Sequence, residues 1–183
     1  MITDYIREYV KEECSITTLT RELYDNHIKV VADYGAKLAR LLGADAQVVE
    51  LASYLHDFSA VHNFEHLNDH GIKGSKLPED LLKQFKFSDQ TISQVKDAII
   101  THSKPPKGKI TSDEAICLSN ADAMSQIVKP FFWLYFGYTV KKRSYEECIK
   151  AYLKWMSNNW MIMIEPAKEM ISEEYAFLQN IKM

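Results

Sequence analysis

Cysteine is scarce in this 183-residue chain. Cys14, Cys117 and Cys148 are far apart, odd in number and without a C-x-x-C pair. That excludes a dense disulfide framework and predicts reduced thiols in a cytoplasmic protein. Six glycines and five prolines fall mostly at breaks between periodic segments, and no linker, repeat or low-complexity tract divides the chain, so a single domain is expected. Positive charge is not in excess: 22 Lys and Arg against 25 Asp and Glu leave a net charge of -3. No basic field gathers nucleic acid, although a small anion is still open as a ligand. The most apolar stretches, "PFFWLYFGYTV" and "WMSNNWMIMI", fall short of the roughly 18 to 20 residues of a membrane span. The start, "MITDYIREYVKEE", lacks the apolar core of a signal peptide, so neither a membrane partner nor export is expected.

β-branched residues in strand-like alternation are few, and the fold class expected is all-α. Leu23, His27, Val30/Val31, Tyr34, Leu38 and Leu41/Leu42 recur at one helix face, with Gly43 as the stop. Asp45 caps a second helix through Val48, Leu51, Ala52 and Leu55 into His56-Asp57. The stretch "SAVHNFEHLNDHGIKGSKLPED" reads as loop, with a short helix from about Gly74 to Phe85. Ser88 or Asp89 opens a helix bearing Ile92, Val95, Ile99 and His102 on its apolar stripe. Thr111-x-x-Glu114 reads as a capping box for a helix through Asp122 to about Val128, and Ser144-x-x-Glu147 as another. The second box opens a helix burying Ile149, Tyr152, Leu153, Met156 and Trp160, and Pro166 separates it from a last helix reaching Phe177 and Leu178.

His27, His102 and Asp122 therefore lie on inward stripes, where an unpartnered polar group costs a few kcal/mol and a lone carboxylate more. Hydrogen bonding within the core would satisfy each singly. A divalent cation would satisfy them together, with His56 and Asp57 converging on it from a helix end and the second oxygen of Asp57 able to bridge a second ion.

In order along the chain, "DNHIKVVADYGAKLARLLG", "ASYLHDFSA", "NDHGIKGSK", "IITHSK" and "LSNADAMSQI" resemble the HD-domain metal-dependent phosphohydrolases. Their pattern is H…HD…D, extended to H…HD…H…H…D in two-metal members. The resemblance covers about residues 20 to 128 and leaves about 130 to 183 as a C-terminal helical extension of the same domain. It implies that His27, His56, Asp57 and Asp122 hold a first metal, with Asp57 shared, and that His70 and His102 add ligands for a second. Glu65 and His66 compete with His70, while His62 reads as a solvated loop residue. Lys104, Lys107 and Lys109 follow His102, where an ammonium can meet a phosphate oxygen or serve solubility alone.

Many catalytic relatives continue the dipeptide with glycine and lysine; here the run is Asp57-Phe58-Ser59-Ala60, so one phosphate contact is missing or supplied elsewhere. The implied cofactor is one or two divalent ions, Fe, Mn, Co, Ni or Zn, with Mg as a further candidate. No G-x-S-x-G elbow, P-loop or recognisable Cys-His pair offers another hydrolytic route. The reading is a phosphomonoesterase or phosphodiesterase for a small phosphorylated compound such as a nucleotide, using a metal-activated water. Three alternatives stay open: a metal- or nucleotide-binding regulatory protein without turnover, a di-iron oxygenase, and a homo-oligomer built through Trp133, Trp155 and Trp160.

Overall fold

Apolar residues spaced three or four apart fold into helices throughout, and no strand occurs among the described residues. A computed structural model describes residues 2–62, 75–102 and 112–181. The run around His27 is one helical path in three parts: α2 (Thr18–Leu23), a π-helical turn (Tyr24–Ile28) and α3 (Lys29–Leu42). The wider turn buries Tyr24, His27 and Ile28 together. Gly43 ends α3 in the left-handed region at φ 72°, which favours glycine. Leu41, expected on the inner stripe, is exposed because the buried face passes through Leu38 and Ala39.

Asp45 caps α4 (Ala46–Leu55) by accepting from the backbone N–H groups of Gln47 and Val48. Every residue from Leu51 to Ala60 is buried, since α4 is wrapped by α1 (Ile2–Cys14), α3, α7 (Asp89–Thr101) and α8 (Asp113–Val128). The segment after Asp57, read above as loop, begins with α5 (Phe58–His62), and His62 is its last residue. The short helix expected near Pro78 is α6 (Lys76–Gln84).

At α8 the cap is Ser112, one residue later than Thr111, which lies outside the described residues. Ser112 accepts from the Ala115 N–H, and Glu114 instead accepts from the Asp45 N–H at 3.1 Å. The expected box at Ser144 and Glu147 forms.

α8 is the central post. It touches α3, α4, α7, α9 (Pro130–Thr139), α10 (Tyr145–Ile162), α11 (Glu165–Met170) and α12 (Ser172–Gln179). Pro166 lies inside the first turn of α11; the break falls at the extended residues Met163 and Ile164, where the Ile164 N–H donates to Asn120 Oδ1 of α8. Trp160 stacks flat on Tyr175 at 3.9 Å, joining α10 to α12. None of the described helices is long and apolar enough to cross a membrane.

Candidate metal centre

Four helical segments bring His27, His56, Asp57, His102 and Asp122 to one place. His27 comes from the π-helical turn, a local widening that often accompanies functional sites. His56 is the C-cap of α4 with Asp57 directly after it, and His102 is the C-cap of α7. Asp122 projects from the middle of α8. The three histidines and Asp57 are almost fully buried, and Asp122 is partly open.

His27 Nε2 lies 3.1 Å from His56 Nε2 and 3.1 Å from Asp57 Oδ2. It is 3.5 Å from Asp122 Oδ1, and His56 Nε2 is 3.6 Å from Asp57 Oδ2. His102 Nε2 stands 4.0 Å from Asp122 Oδ2, and its ring crosses that of His56 edge to face at 5.5 Å.

The opposite nitrogens fix the tautomers. His56 Nδ1 donates to the Ser53 carbonyl at 2.8 Å, and His102 Nδ1 to the Ile99 carbonyl at 2.6 Å. Each helix-end histidine thus donates to a carbonyl of its own last turn. The Ser125 hydroxyl donates to the Asp122 carbonyl, so it accepts from His27 Nδ1, 2.8 Å away. With all three Nδ1 atoms protonated, the three Nε2 atoms carry lone pairs.

Two lone pairs and a carboxylate oxygen therefore face one another at about 3 Å, a repulsive arrangement that a cation reverses. Ligands about 2.1 Å from one ion fall at about this mutual separation when set near right angles. His27, His56 and Asp57 thus fit a divalent metal in donor type, protonation and spacing. Burial pushes the His102 imidazolium pKa down to about 4, against the opposing pull of Asp122, so this ring too is a neutral donor at pH 7.

The surroundings hold these groups in place. Gln126 Nε2 donates to Asp122 Oδ1 at 2.7 Å, and its own oxygen accepts from Asn159 of α10. Trp133 of α9 packs edge-on against His27, ring centres 5.0 Å apart. It is buried and forms part of the site wall. Ser125, Gln126 and Asn159 gave no signal in the sequence; only the three-residue step from Asp122 to Ser125 could have pointed to the first. Burial raises the thiols of Cys14 and Cys117 to about 12, leaving them protonated and poor nucleophiles. Glu65, His66, His70, Lys104, Lys107 and Lys109 lie outside the described residues.

Residues 24–127 match the family model of the HD domain. A crystal structure of a predicted HD superfamily hydrolase from an uncultured Thermotogales bacterium is similar in fold. Its TM-score is 0.57 at 21% identity, over 93% of this chain and 91% of that one. No curated protein matches the chain significantly.

Proposed function

Because the chain belongs to the HD-domain family, we propose that it is a metal-dependent hydrolase of phosphate esters acting on a small phosphorylated compound, with a nucleotide as the leading candidate. One observation carries the reading: the Nε2 lone pairs of His27 and His56 and the Asp57 carboxylate converge on one buried point. His27, His56, Asp57 and Asp122 are the proposed ligands of a first ion. His102 serves a second, with His70, or in its place His66 or Glu65, completing that set. Bound there, a divalent ion supplies a hydrolytic water at neutral pH and neutralises charge on the transferred phosphoryl group.

The chain's own part is positional. Ser125, the Ser53 carbonyl and the Ile99 carbonyl hold the imidazoles in the metal-binding tautomer. Gln126 steers Asp122, and Trp133 closes the cluster over His27. One observation favours the second reading, a binding protein without turnover: Phe58 follows Asp57 where many relatives continue with Gly-Lys, and it is buried against Tyr9 of α1.

Phosphate release from a panel of phosphate esters by chelator-stripped protein, before and after adding Mn²⁺, Fe²⁺, Co²⁺ or Ni²⁺, tests the assignment. Turnover is expected only with metal, and Asp57→Ala should abolish it while the helical circular dichroism persists. Full activity in stripped protein would falsify the metal route. A metal-loaded protein that binds a nucleotide but hydrolyses no ester would select the second reading.

A further inference from the structure

The cavity beside the metal cluster has a volume of about 300 Å³. Asp57, His102 and Asp122 line it at one side, but most of its wall comes from α9, α10 and the turn between them. That wall lies beyond residue 127, where the family match ends. It contains Trp133, Phe136, Tyr152 and Trp155, an aromatic lining suited to a flat apolar body. Trp133 and Trp155 meet at right angles with ring centres 5.1 Å apart. The Trp133 indole N–H is buried with no hydrogen-bond acceptor.

The charges on the wall differ in sign from those at the metal. Lys141 and Arg143, both from the α9–α10 turn, are the cations lining the cavity among the described residues. The Lys141 ammonium sits 5.7 Å from the centre of the Phe136 ring, so charge and aromatic lining are contiguous. The Arg143 N–H donates to the Gly137 carbonyl, and the Cys148 thiol to the Arg143 carbonyl, which pins the turn between the two helices. Among the described residues, the carboxylates that line the cavity, Asp57 and Asp122, are both in the metal cluster. After Asp57, where many relatives continue with glycine and lysine, Phe58, Ser59 and Ala60 are buried in the core.

We propose that α9, α10 and their turn form a substrate-selecting subsite. In it Lys141 and Arg143 bind a second anionic group of the phosphate ester, while Trp133, Phe136, Tyr152 and Trp155 clasp the flat body between the two charges. The proposal rests on the hydrolase reading above and narrows it. The preferred substrates are esters carrying a planar moiety and a negative charge remote from the scissile phosphate. Plain alkyl phosphates, with neither feature, are poor ligands.

Hydrolysis-inert phosphonates separate binding from turnover. Naphth-2-ylmethylphosphonate and its 6-carboxy and 6-aminomethyl derivatives are titrated into metal-loaded protein at low ionic strength, following quenching of tryptophan fluorescence. The carboxylate should bind about tenfold more tightly than the parent, the effect of one charge-assisted contact. In the Lys141→Met/Arg143→Met double variant that ratio should fall to about one, and Arg143→Glu should turn the preference toward the aminomethyl compound. Both residues are exposed, so these changes leave the core intact. Equal affinity of wild-type protein for all three phosphonates, or an unchanged ratio in the double variant, overturns the subsite while metal-dependent hydrolysis stands. Phosphonate binding that ignores the metal, together with no ester hydrolysis under any metal, overturns the hydrolase reading and the subsite with it.

Discussion

A buried imidazole presents a lone pair to a cation only while its other nitrogen has an acceptor, and for His27 that acceptor is the Ser125 hydroxyl. Ser125 is fully buried, and its single proton is already given to the Asp122 carbonyl. Ser125→Ala would leave the His27 N–H facing an apolar methyl, at a cost of about 1–3 kcal/mol. The ring could then flip or exchange tautomers, and metal affinity should fall about 10- to 100-fold. Competition with a chromophoric chelator measures this directly. Wild-type affinity in the variant would mean that the hydrogen bond does not orient His27. His56 and His102 are less exposed to such a change, since their acceptors are backbone carbonyls that no substitution removes.

Among the elements, α3 and α4 pack tightly at Gly35. A Cβ there would meet Ser53 Oγ at 2.9 Å and Val49 Cγ1 at 3.1 Å. Ser53 Oγ is buried and makes no hydrogen bond, so packing alone holds it against the added methyl group. Gly35→Ala should destabilise the fold by about 1–3 kcal/mol through overpacking, although alanine is the better helix former. Urea denaturation checks this, and a variant as stable as wild type would show that the crossing can yield. The same helices show what a sequence exposes and what it hides. The stripes ending in His56 and His102, and the caps at Asp45, Ser88 and Ser144, are local patterns and were legible. The π-helical turn at His27 was not, because widening a helix by one residue leaves its apolar spacing nearly unchanged. The shift from Thr111 to Ser112 was equally hidden, since Glu114 is drawn off by Asp45, 69 residues away in sequence. Gln126 and Trp133 joined the site for the same reason: long-range packing of α8 on α9 and α10 put them there.

Over the whole molecule, the proposed ligands tie together the α2–α3 junction, the ends of α4 and α7, and the middle of α8. A cation bound there cross-links the helical core, and the unfolded chain has no such preformed site. Linkage then makes stability depend on free metal: at one hundred times the dissociation constant the gain is about 2.7 kcal/mol. For a domain of this size that raises the melting temperature by about 5–10 °C. The rise should grow logarithmically with metal concentration and reverse with chelator. In His56→Ala, which removes a ligand from the centre of the cluster, the melting temperature should be lower and insensitive to added metal. Calorimetric melts across a metal titration decide the matter, because a ligand-independent effect of ionic strength would raise both proteins alike. An equal metal-induced rise in the variant would place the ion elsewhere. A wild-type protein indifferent to metal would overturn the placement of a cation among His27, His56 and Asp57.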